Sequence, residues 1–448
     1  MSMKTPICDF VNKYRAQSKL RLHMPGHKGA RFLGFEELDI TEISGADSLY
    51  EASGIIAESE RNASDLFGCD TYYSTEGSSQ CIKAMVYLSV LAAKKEGRKP
   101  LIAAGRNAHK AFHSALALLD VDVLWIYPKN IANYLSCDIS ARDVEEFLSA
   151  CEEKPTALYL TSPDYLGNMA DVRSIAKVCR ENGILLLVDN AHGAYLRFLS
   201  ESAHPMDLGA DLCCDSAHKT LPVLTGGAYL HVASDFDTDI KESIKDAMCL
   251  FGSTSPSYLI LQSLDAANSY LEGHRERLAS FLPLVDALKE ALSSHGYELY
   301  GAEPLKVTLH TKAYGYLGTE FAQILEERGV VCEFADPDFV VLMFTPELCE
   351  SGLKMVKAIL LSIERKERIL GEMPEFRKAE RVCRVREAVT SQSETVSAES
   401  SLGRVAALTH CSCPPAVPVV VSGERIDENA IKCFEYYGIK EIKVIKKD

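Results

Sequence analysis

The sequence predicts an α/β fold in which a large domain with a mostly parallel sheet is followed by a smaller α+β domain and a C-terminal subdomain. Between about Asp65 and Gly252, short apolar runs of strand length alternate with amphipathic stretches of helix length, which is typical of βα units. From about Ser269 the pattern changes to a long charged helix followed by alternating strand-like and helix-like segments. The chain has 448 residues, 47% hydrophobic and 25% charged, and so can bury several cores.

The elements of the large domain follow in order along the chain. Ser78–Gly97 is predicted to be a helix because its apolar residues recur with helical spacing and give way to two lysines and a terminal glycine. Strands are predicted at Leu101–Ala104, Val121–Tyr127, Ala157–Thr161 and Ile184–Asp189, with helices at Asn107–Leu119, Ala141–Cys151 and Val172–Asn182. Because such sheets bind ligands at the carboxyl ends of their strands, functional residues are expected in the loops after the strands.

The second half of the chain is predicted to contain two smaller parts. Its elements are a helix near Ser269–Ser294, a strand at Lys306–Thr311, a helix at Glu320–Arg328, a strand at Phe339–Thr345, a helix at Leu353–Leu370, and a last strand and helix after a polar stretch at Glu387–Ser401. We therefore expect an N-terminal arm (1–40), a large domain (41–268), a small domain (269–370) and a C-terminal subdomain (371–448).

Charge and cysteine content exclude several classes of partner. Lys and Arg total 48 against 63 for Asp and Glu, a net charge of −15, which repels nucleic acid and anionic lipid, so neither is expected as a partner. Fifteen cysteines is an odd number, and they lack zinc-finger spacing; we expect reduced thiols, a cytoplasmic location and no metal. The N-terminus lacks a signal-peptide core, and no apolar run approaches the roughly 20 residues of a membrane helix.

Two charged residues are predicted to meet at one edge of the sheet. Asp189 ends the apolar run Ile184–Val188, and Lys219 follows the next strand in Asp215–Lys219. A lysine that forms a Schiff base must lose its proton before attack, which a desolvated pocket favours. Pyridoxal phosphate requires such a lysine, together with an anion that keeps its ring nitrogen protonated. Asp189 and Lys219 therefore predict a pyridoxal-phosphate site.

Two further segments supply the other groups that this cofactor requires. Gly77, Ser78 and Ser79 lead directly into the predicted helix at Ser78–Gly97, where backbone N–H groups and hydroxyls suit a phosphate. His109 follows the next strand, and its imidazole is a candidate to stack on the exposed ring. Each element alone is weak, because capping serines and surface histidines are common. The ordered set on successive βα units carries the prediction.

Several blocks of the sequence closely resemble the Orn/Lys/Arg decarboxylase family of pyridoxal-phosphate enzymes. They are Leu22-His23-Met24-Pro25-Gly26-His27-Lys28-Gly29, Asp39-Ile40-Thr41-Glu42-Ile43, Asp189-Asn190-Ala191-His192-Gly193, Ser216-Ala217-His218-Lys219, Ser253-Thr254-Ser255-Pro256-Ser257-Tyr258, and Pro414-Pro415-Ala416-Val417-Pro418 running to Gly423-Glu424-Arg425-Ile426. The resemblance implies the aspartate-aminotransferase fold (fold type I) and decarboxylation of arginine, lysine or ornithine. With the first block beginning at Leu22, the chain resembles the short form of the family.

The resemblance also implies roles for individual residues. Lys219 would be the Schiff-base lysine, Asp189 the partner of the pyridinium nitrogen, and His109 the stacking residue. The remaining implied cofactor contacts are Ser78, Ser79, Ser216 and His218, which hold the phosphate or flank the lysine, and His192, which packs near the ring. Thr254 resembles the residue that reaches the phosphate of a neighbouring subunit, which implies a homodimer or a higher homo-oligomer. Either Lys219 or His218 would return a proton to the substrate.

Substrate recognition is less determined by the sequence. A basic substrate requires an acid at the far end of its pocket, and the candidates are Glu333, Asp336, Asp47 and Glu51, the last two from a partner subunit. The family usually has Glu where Asn190 stands, its phosphate loop differs from Thr75–Cys81, and Tyr, Gly and Pro are common at Cys413, Ala416 and Ser422. Two alternatives stay open: an aminotransferase or lyase of the same fold, with Arg404 as a carboxylate clamp, and a catalytically silent homologue that keeps the cofactor.

Overall fold

The computed structural model describes residues 3–127, 133–371, 373–408 and 415–447. The helices are α1 (Pro6–Ala16), α2 (Ile55–Phe67), α3 (Ser78–Lys95), α4 (Lys110–Leu119), α5 (Ala141–Ala150), α6 (Val172–Glu181), α7 (Pro205–Leu208), α8 (Ala217–Thr220), α9 (Thr238–Lys241), α10 (Ile244–Cys249), α11 (Tyr258–Leu271), α12 (His274–His295), α13 (Gly318–Glu327), α14 (Cys349–Leu361), α15 (Val385–Thr390) and α16 (Glu428–Tyr436). The strands are β1 (Asp70–Ser74), β2 (Leu101–Gly105), β3 (Asp122–Ile126), β4 (Ala157–Thr161), β5 (Leu185–Asp189), β6 (Leu212–Asp215), β7 (Ala228–Val232), β8 (Leu299–Tyr300), β9 (Lys306–His310), β10 (Phe334–Ala335), β11 (Phe339–Met343), β12 (Ser393–Ser397) and β13 (Glu441–Ile445).

The chain divides into two compact units. Unit 1 comprises Met1–Lys99 and Leu185–Leu278, and unit 2 comprises Pro100–Ile184 and Ala279–Asp448. In unit 1 the strand order is β1-β7-β6-β5, with β5 and β6 parallel and β7 antiparallel to both β6 and β1. Helix α3 packs on these strands through buried apolar residues such as Ile82, Met85 and Leu88. The carboxyl ends of β5 and β6 therefore lie side by side at one edge.

Unit 2 contains parallel and antiparallel strands. Strand β2 lies between β3 and β4 and is parallel to both. The antiparallel strands β10-β11-β9-β8 form a second sheet, and β12 pairs with β13. A buried cluster in this unit includes Leu166, Val341, Ile426, Phe434 and Val444. This cluster joins residues from the parallel strands' loops, the second sheet and the C-terminal segment in one core.

The structure confirms the predicted α/β fold with a mostly parallel central sheet. Strands appear within one or two residues of the four predicted in the large domain. Two helix predictions were wrong in extent, and the last two elements occur in the reverse of the predicted order, with helix α16 before strand β13. The helix predicted near Ser269–Ser294 is two helices, because Glu272 and Gly273 separate α11 from α12, and the helix predicted to reach Leu370 ends at Leu361. The proposed domain boundaries stay a prediction.

Two further properties of the described residues are the character of their helices and the state of their cysteines. Within 3–127, 133–371, 373–408 and 415–447, no helix has the length and apolar character that crossing a membrane requires. The cysteines of the same residues are free thiols. Pro414, the first residue of the C-terminal block named above, and Cys413, which precedes it, lie outside the described residues.

Candidate active site

The predicted Schiff-base lysine lies in a short helix at the end of β6. Lys219 belongs to α8, and its Nζ is 3.0 Å from Nε2 of the buried His192. His192 follows β5 by three residues, and β5 is the parallel neighbour of β6. Because β5 and β6 are parallel neighbours, Asp189, His192 and Lys219 lie at one edge of the strands of unit 1. The Nζ–Nε2 distance allows a proton to be shared between the amine and the imidazole.

Asp189 ends β5 and is only 2% exposed. Its Oδ1 accepts hydrogen bonds from the backbone N–H of Ala191 (3.2 Å) and from the thiol of Cys214 (3.6 Å). Cys214 lies directly opposite Asp189 in the register of β5 and β6. A buried carboxylate with these donors is positioned rigidly, and it suits a role opposite a protonated ring nitrogen.

The N-terminus of α3 is built to receive an anion. The preceding residue, Gly77, has φ 70° and ψ 178°, and no side chain caps the helix. A Cβ built on Gly77 would find its nearest neighbour, the backbone N of Ser79, at 4.0 Å. The hydroxyl of Ser216, which precedes α8, donates to the hydroxyl of Ser78 at 2.7 Å. Open space, backbone donors and hydroxyls of two loops therefore fit the phosphate of the cofactor.

His218 and Thr254 have different surroundings in unit 1. Nδ1 of His218 is 3.0 Å from the backbone O of Gly227, which also accepts the backbone N–H of His218 at 3.2 Å. These two bonds fix α8 to the loop before β7. Thr254 is exposed, as expected for a residue that would serve a neighbouring subunit.

The candidate substrate acids of unit 1 are Asp47 and Glu51. The carboxylate of Asp47 accepts backbone N–H groups of Ser53 (3.0 Å), Gly54 (2.8 Å) and Ile56 (3.0 Å), ahead of and inside the first turn of α2. Although partial burial would raise its pKa, these donors outweigh burial and hold the pKa of Asp47 below its usual value. Glu51 is exposed. Asp47 is thus engaged in shaping a turn, whereas Glu51 presents its carboxylate to solvent.

Three predicted residues belong to unit 2. His109 precedes α4, and its Nδ1 accepts the backbone N–H of Ala111 at 3.1 Å. Glu333 is exposed and accepts the hydroxyl of Tyr165 at 2.7 Å. Asp336 is buried, and Oδ1 accepts the backbone N–H groups of Asp338 and Phe339 at 2.8 and 2.7 Å.

Burial raises the pKa of Asp336 to about 7, because the two N–H donors offset only part of the cost of desolvating the charge.

The predicted carboxylate clamp of the alternative function, Arg404, is paired with Glu394 (2.6 Å) and with the backbone O of Ile445 (2.7 Å). A side chain so engaged has fewer donors left for a substrate carboxylate.

Sequence reasoning gave no role to the residues that surround the end of β6. Asp215, His204, His231 and Asn190 form a fully buried hydrogen-bond network next to the Lys219 loop. The segment Asp215–Lys219 contains Asp215, but its three hydrogen-bond partners come from other segments of the chain. Their meeting is a property of the fold rather than of a local motif.

Comparisons with known proteins identify the class and the family. The profile described as "Orn/Lys/Arg decarboxylase, major domain" matches residues 5–294, and that of "Orn/Lys/Arg decarboxylase, C-terminal domain" matches 370–443. The chain is 29% identical to the protein YaaO of Bacillus subtilis (strain 168) over 96% of this chain and 93% of that protein. It is 27% identical to the arginine decarboxylase of the same organism, over 96% and 92%.

Solved structures agree in fold. The lysine decarboxylase LdcF of Francisella novicida superposes with a TM-score of 0.81 at 16% identity, covering 99% of this chain and 81% of that one. The serine palmitoyltransferase of Sphingomonas wittichii superposes with a TM-score of 0.56 at 14% identity, covering 80% and 83%.

Fold and site together define a fold type I enzyme whose cofactor is pyridoxal phosphate. The chain belongs to the Orn/Lys/Arg decarboxylase family, and it is a decarboxylase, that is, a carboxy-lyase.

Proposed function

We propose that the protein removes the α-carboxylate of a basic amino acid, with arginine as the first candidate substrate, and releases the amine and carbon dioxide. The observation that carries the proposal is the contact of Lys219 with His192 beside the buried Asp189. Arginine is placed first because relatives named arginine decarboxylase align over more than nine-tenths of their length. The proteins named lysine decarboxylase align over smaller shares, between 39% and 76%.

Asp189 and Lys219 would supply the central chemistry. Pyridoxal phosphate, when bound, provides a π system into which the electrons of the breaking Cα–carboxylate bond can be delocalised. Asp189 would keep the ring nitrogen protonated, because a buried carboxylate stabilises a positive charge opposite it. Lys219 would anchor the cofactor through its amine, and His192 would take and return the proton that this amine must lose.

The proton that replaces the carboxylate has two candidate donors, Lys219 and His218. The structure supports Lys219 through its contact with His192, which offers a partner for proton exchange at 3.0 Å. Nδ1 of His218 donates to the backbone O of Gly227, so only its Nε2 remains for this role.

Gly77, Ser78, Ser79 and Ser216 are proposed to hold the phosphate. Gly77 leaves space in front of the α3 N-terminus, and the linked hydroxyls of Ser78 and Ser216 add donors from a second loop. His109 is proposed to cover the ring, with its Nδ1 fixed by the backbone of Ala111. A fixed ring orientation suits stacking.

Among the substrate acids, the exposed Glu51 and Glu333 are favoured over Asp47 and Asp336. The carboxylates of the latter two already accept backbone N–H groups. A bidentate pair with a guanidinium requires a free lone pair on both oxygens, and Glu333 keeps one on Oε1 beside the hydrogen bond from the Tyr165 hydroxyl. Glu51→Gln and Glu333→Gln are each expected to raise KM for arginine roughly tenfold, and an unchanged KM would exclude that residue from substrate recognition.

We also propose a homodimer or higher homo-oligomer acting in the cytoplasm. The N-terminal arm exposes large apolar side chains, with Leu20 and Leu22 each 84% exposed and Phe32 and Leu33 78% and 77% exposed. Such a patch favours contact with another chain, and Thr254 is positioned on the surface for a shared site. Sedimentation velocity should give at least twice the mass of one chain, and a monomer would refute the proposal.

The deciding experiment supplies arginine, lysine and ornithine singly to the cofactor-loaded protein and measures carbon dioxide, amine and keto acid. Amine and carbon dioxide from arginine support the proposal. Keto acid would favour the aminotransferase alternative. A protein that shows the absorbance of a lysine-bound cofactor, yet releases no product from any of the three, would favour the silent homologue.

A further inference from the structure

Four fully buried polar side chains surround the end of β6: Asn190, His204, Asp215 and His231, here called the Asp215 network. Asp215 is the last residue of β6 and precedes Lys219 by four residues. Asn190 directly follows Asp189 and precedes His192 by two. The network therefore touches both chain segments that carry the Lys219–His192 pair.

Asp215 is a buried carboxylate surrounded by side chains that hydrogen-bond to it. Its Oδ2 is 3.0 Å from Nε2 of His204 and 3.0 Å from Nε2 of His231, and its Oδ1 accepts Nδ2 of Asn190 at 2.6 Å. Burial alone would raise the pKa of Asp215, but the two imidazoles and their hydrogen bonds outweigh burial and lower it strongly. Burial lowers the pKa of His231, which keeps that imidazole neutral.

Two histidines and a carboxylate so close together also resemble a metal site. The tautomer of His204 argues against this. The backbone N–H of Met206 donates to Nδ1 of His204 at 3.4 Å, which favours a hydrogen bond from Nε2 to Asp215. A metal ion at Nε2 would have to displace the proton that makes this bond. The geometry is therefore that of a hydrogen-bond network.

Asn190 links this network to the site. Its backbone N–H donates to Cys214 O at 3.0 Å, and its carbonyl accepts the N–H of Gly193 at 2.7 Å. A Cβ at Gly193 would lie 1.9 Å from Oδ1 of Asn190, so only glycine at 193 permits this conformation of Asn190. The turn 190–193, which contains His192, is thus fixed to the end of β6 by main-chain and side-chain bonds together.

We propose that Asp215 is a positioning residue that acts through Asn190 to hold His192 against Lys219. The inference rests on the proposed role of Lys219 as the cofactor's anchor. It also explains why Asn190 stands where the family usually has Glu: a carboxylate at 190 would meet the carboxylate of Asp215 at the 2.6 Å that now separates donor from acceptor. Asn190 and Asp215 are then a matched donor and acceptor.

The test exchanges the two side chains. Asn190→Asp places two carboxylates together and should break the hydrogen bond between the side chains at positions 190 and 215. The double variant Asn190→Asp with Asp215→Asn restores it, because the amide oxygen introduced at position 215 can accept from both histidines while the amide nitrogen donates to the carboxylate introduced at position 190. Both histidines bond the same oxygen of Asp215, which makes this exchange possible.

The main measurement is the pH midpoint of the visible absorbance of the cofactor-loaded protein, without substrate. Asn190→Asp should shift this midpoint by about one pH unit, and the double variant should return it to within a few tenths. Where decarboxylation is measurable, kcat should fall roughly tenfold in the single variant and recover in the double variant, with KM changed by less than about threefold. Since the absorbance requires no substrate, the inference can fail or hold independently of the proposed reaction.

Asn268→Asp is the matched control. Asn268 is also fully buried in unit 1, with Nδ2 donating to Ser59 O and to the hydroxyl of Tyr73 and with Oδ1 unbonded. It should lower the melting temperature and leave the absorbance midpoint unchanged. If Asn190→Asp does not fold, Asn190→Ala removes the hydrogen bond to Asp215 without adding charge and should shift the midpoint in the same direction.

Three outcomes would overturn the inference. One is a folded Asn190→Asp protein with an unchanged midpoint. Another is a double variant as impaired as the single one, which would show that the hydrogen bond is not what matters. The third is a stoichiometric transition metal in the purified protein that is lost in His204→Gln.

Discussion

The N-termini of α3 and α5 are completed in opposite ways. Helix α5 begins with a capping box, in which the hydroxyl of Ser140 accepts the N–H of Asp143 and the carboxylate of Asp143 accepts the N–H of Ser140. Helix α3 begins at Gly77 without any side-chain cap. The first N–H groups of an α-helix have no acceptor within the helix itself. Side chains at the start of α5 supply acceptors for these groups, whereas no side chain does so at the start of α3.

This difference supports the proposal that the start of α3 binds the phosphate of the cofactor. At α5 the side chains of Ser140 and Asp143 accept hydrogen bonds from backbone N–H groups at the start of the helix. At α3 the hydroxyls of Ser78 and Ser216 bond each other, Gly77 leaves space, and Lys219 lies in the helix that follows Ser216. An external phosphate can therefore complete α3, and loss of that phosphate should affect α3 but not α5.

The largest effect is expected for Lys219→Ala, which removes the proposed covalent anchor of the cofactor. The visible absorbance of the lysine-bound cofactor should disappear, and kcat should fall by at least roughly 1000-fold, because nucleophile and proton carrier are both lost. Absorbance spectroscopy and carbon dioxide release measure these effects. Lys94→Ala, in the exposed last turn of the same helix α3, is the control and should change neither. If Lys219→Ala kept its turnover, Lys219 would not be the anchor of the cofactor, and the comparison of α3 with α5 would lose its basis.

The second prediction compares the two ends of α3. Gly77 has φ 70° and ψ 178°, whereas Gly97, after the C-terminus, has φ 69° and open space around it. Gly77→Ala should lower the free energy of unfolding by roughly 3 kcal/mol, since non-glycine residues rarely adopt its conformation. It should also weaken cofactor binding. Gly97→Ala should cost about 1 kcal/mol with cofactor affinity unchanged. Urea unfolding and cofactor titration distinguish them, and equal losses of affinity would contradict the assignment.

The sequence predicts the proposed site residues that lie at strand ends. Asp189 and Lys219 could be placed at one edge because Asp189 ends one buried strand, Lys219 follows the next, and parallel neighbours end together. Gly77 and the serines of the first turn of α3 were candidates because anion sites and helix starts share the same chemistry. Fold class and most elements of the large domain follow from the alternation of apolar runs and amphipathic segments.

Contacts between distant segments could not be predicted in this way. His204 lies 11 residues before Asp215 and His231 lies 16 residues after it, and no periodicity marks them as partners. The sequence offered Asp47 as a substrate acid, but its carboxylate holds the start of α2. A loop acid that binds substrate and one that orders a turn have the same composition, and only the backbone geometry distinguishes them.

The third prediction concerns Asp336, whose carboxylate, like the hydroxyl of Ser140, accepts hydrogen bonds from backbone N–H groups of unit 2. Its pKa in the folded protein is about 7, above the ordinary 3.8, so the folded state binds more protons between these values. Stability should therefore fall as pH rises from about 4 to about 7. Asp336→Asn keeps the accepting oxygen and removes the charge. It should raise the free energy of unfolding at pH 8 by roughly 2 kcal/mol and leave it nearly unchanged at pH 4.

Urea unfolding at both pH values checks this third prediction. Asp143→Asn is the comparison, because Asp143 is another acceptor of a backbone N–H in unit 2, but in the exposed capping box. It should not stabilise the protein at pH 8. A destabilised Asp336→Asn at pH 8 would mean that the carboxylate is ionised and needed as an anion in the fold.

The smallest effect is expected at the capped helix. Ser140→Ala removes the hydroxyl that accepts the Asp143 N–H at 3.2 Å, and should lower the free energy of unfolding by about 1 kcal/mol. Because α5 is completed by its own side chains, cofactor affinity should not change. Ser216→Ala should show the reverse: little change in stability without cofactor, and a roughly tenfold weaker affinity, the loss expected for one hydrogen bond to a charged group. If Ser140→Ala also weakened cofactor binding, the two helix ends would be coupled. The contrast between α5, which is capped by its own side chains, and α3, which is proposed to be completed by the cofactor's phosphate, would then be wrong.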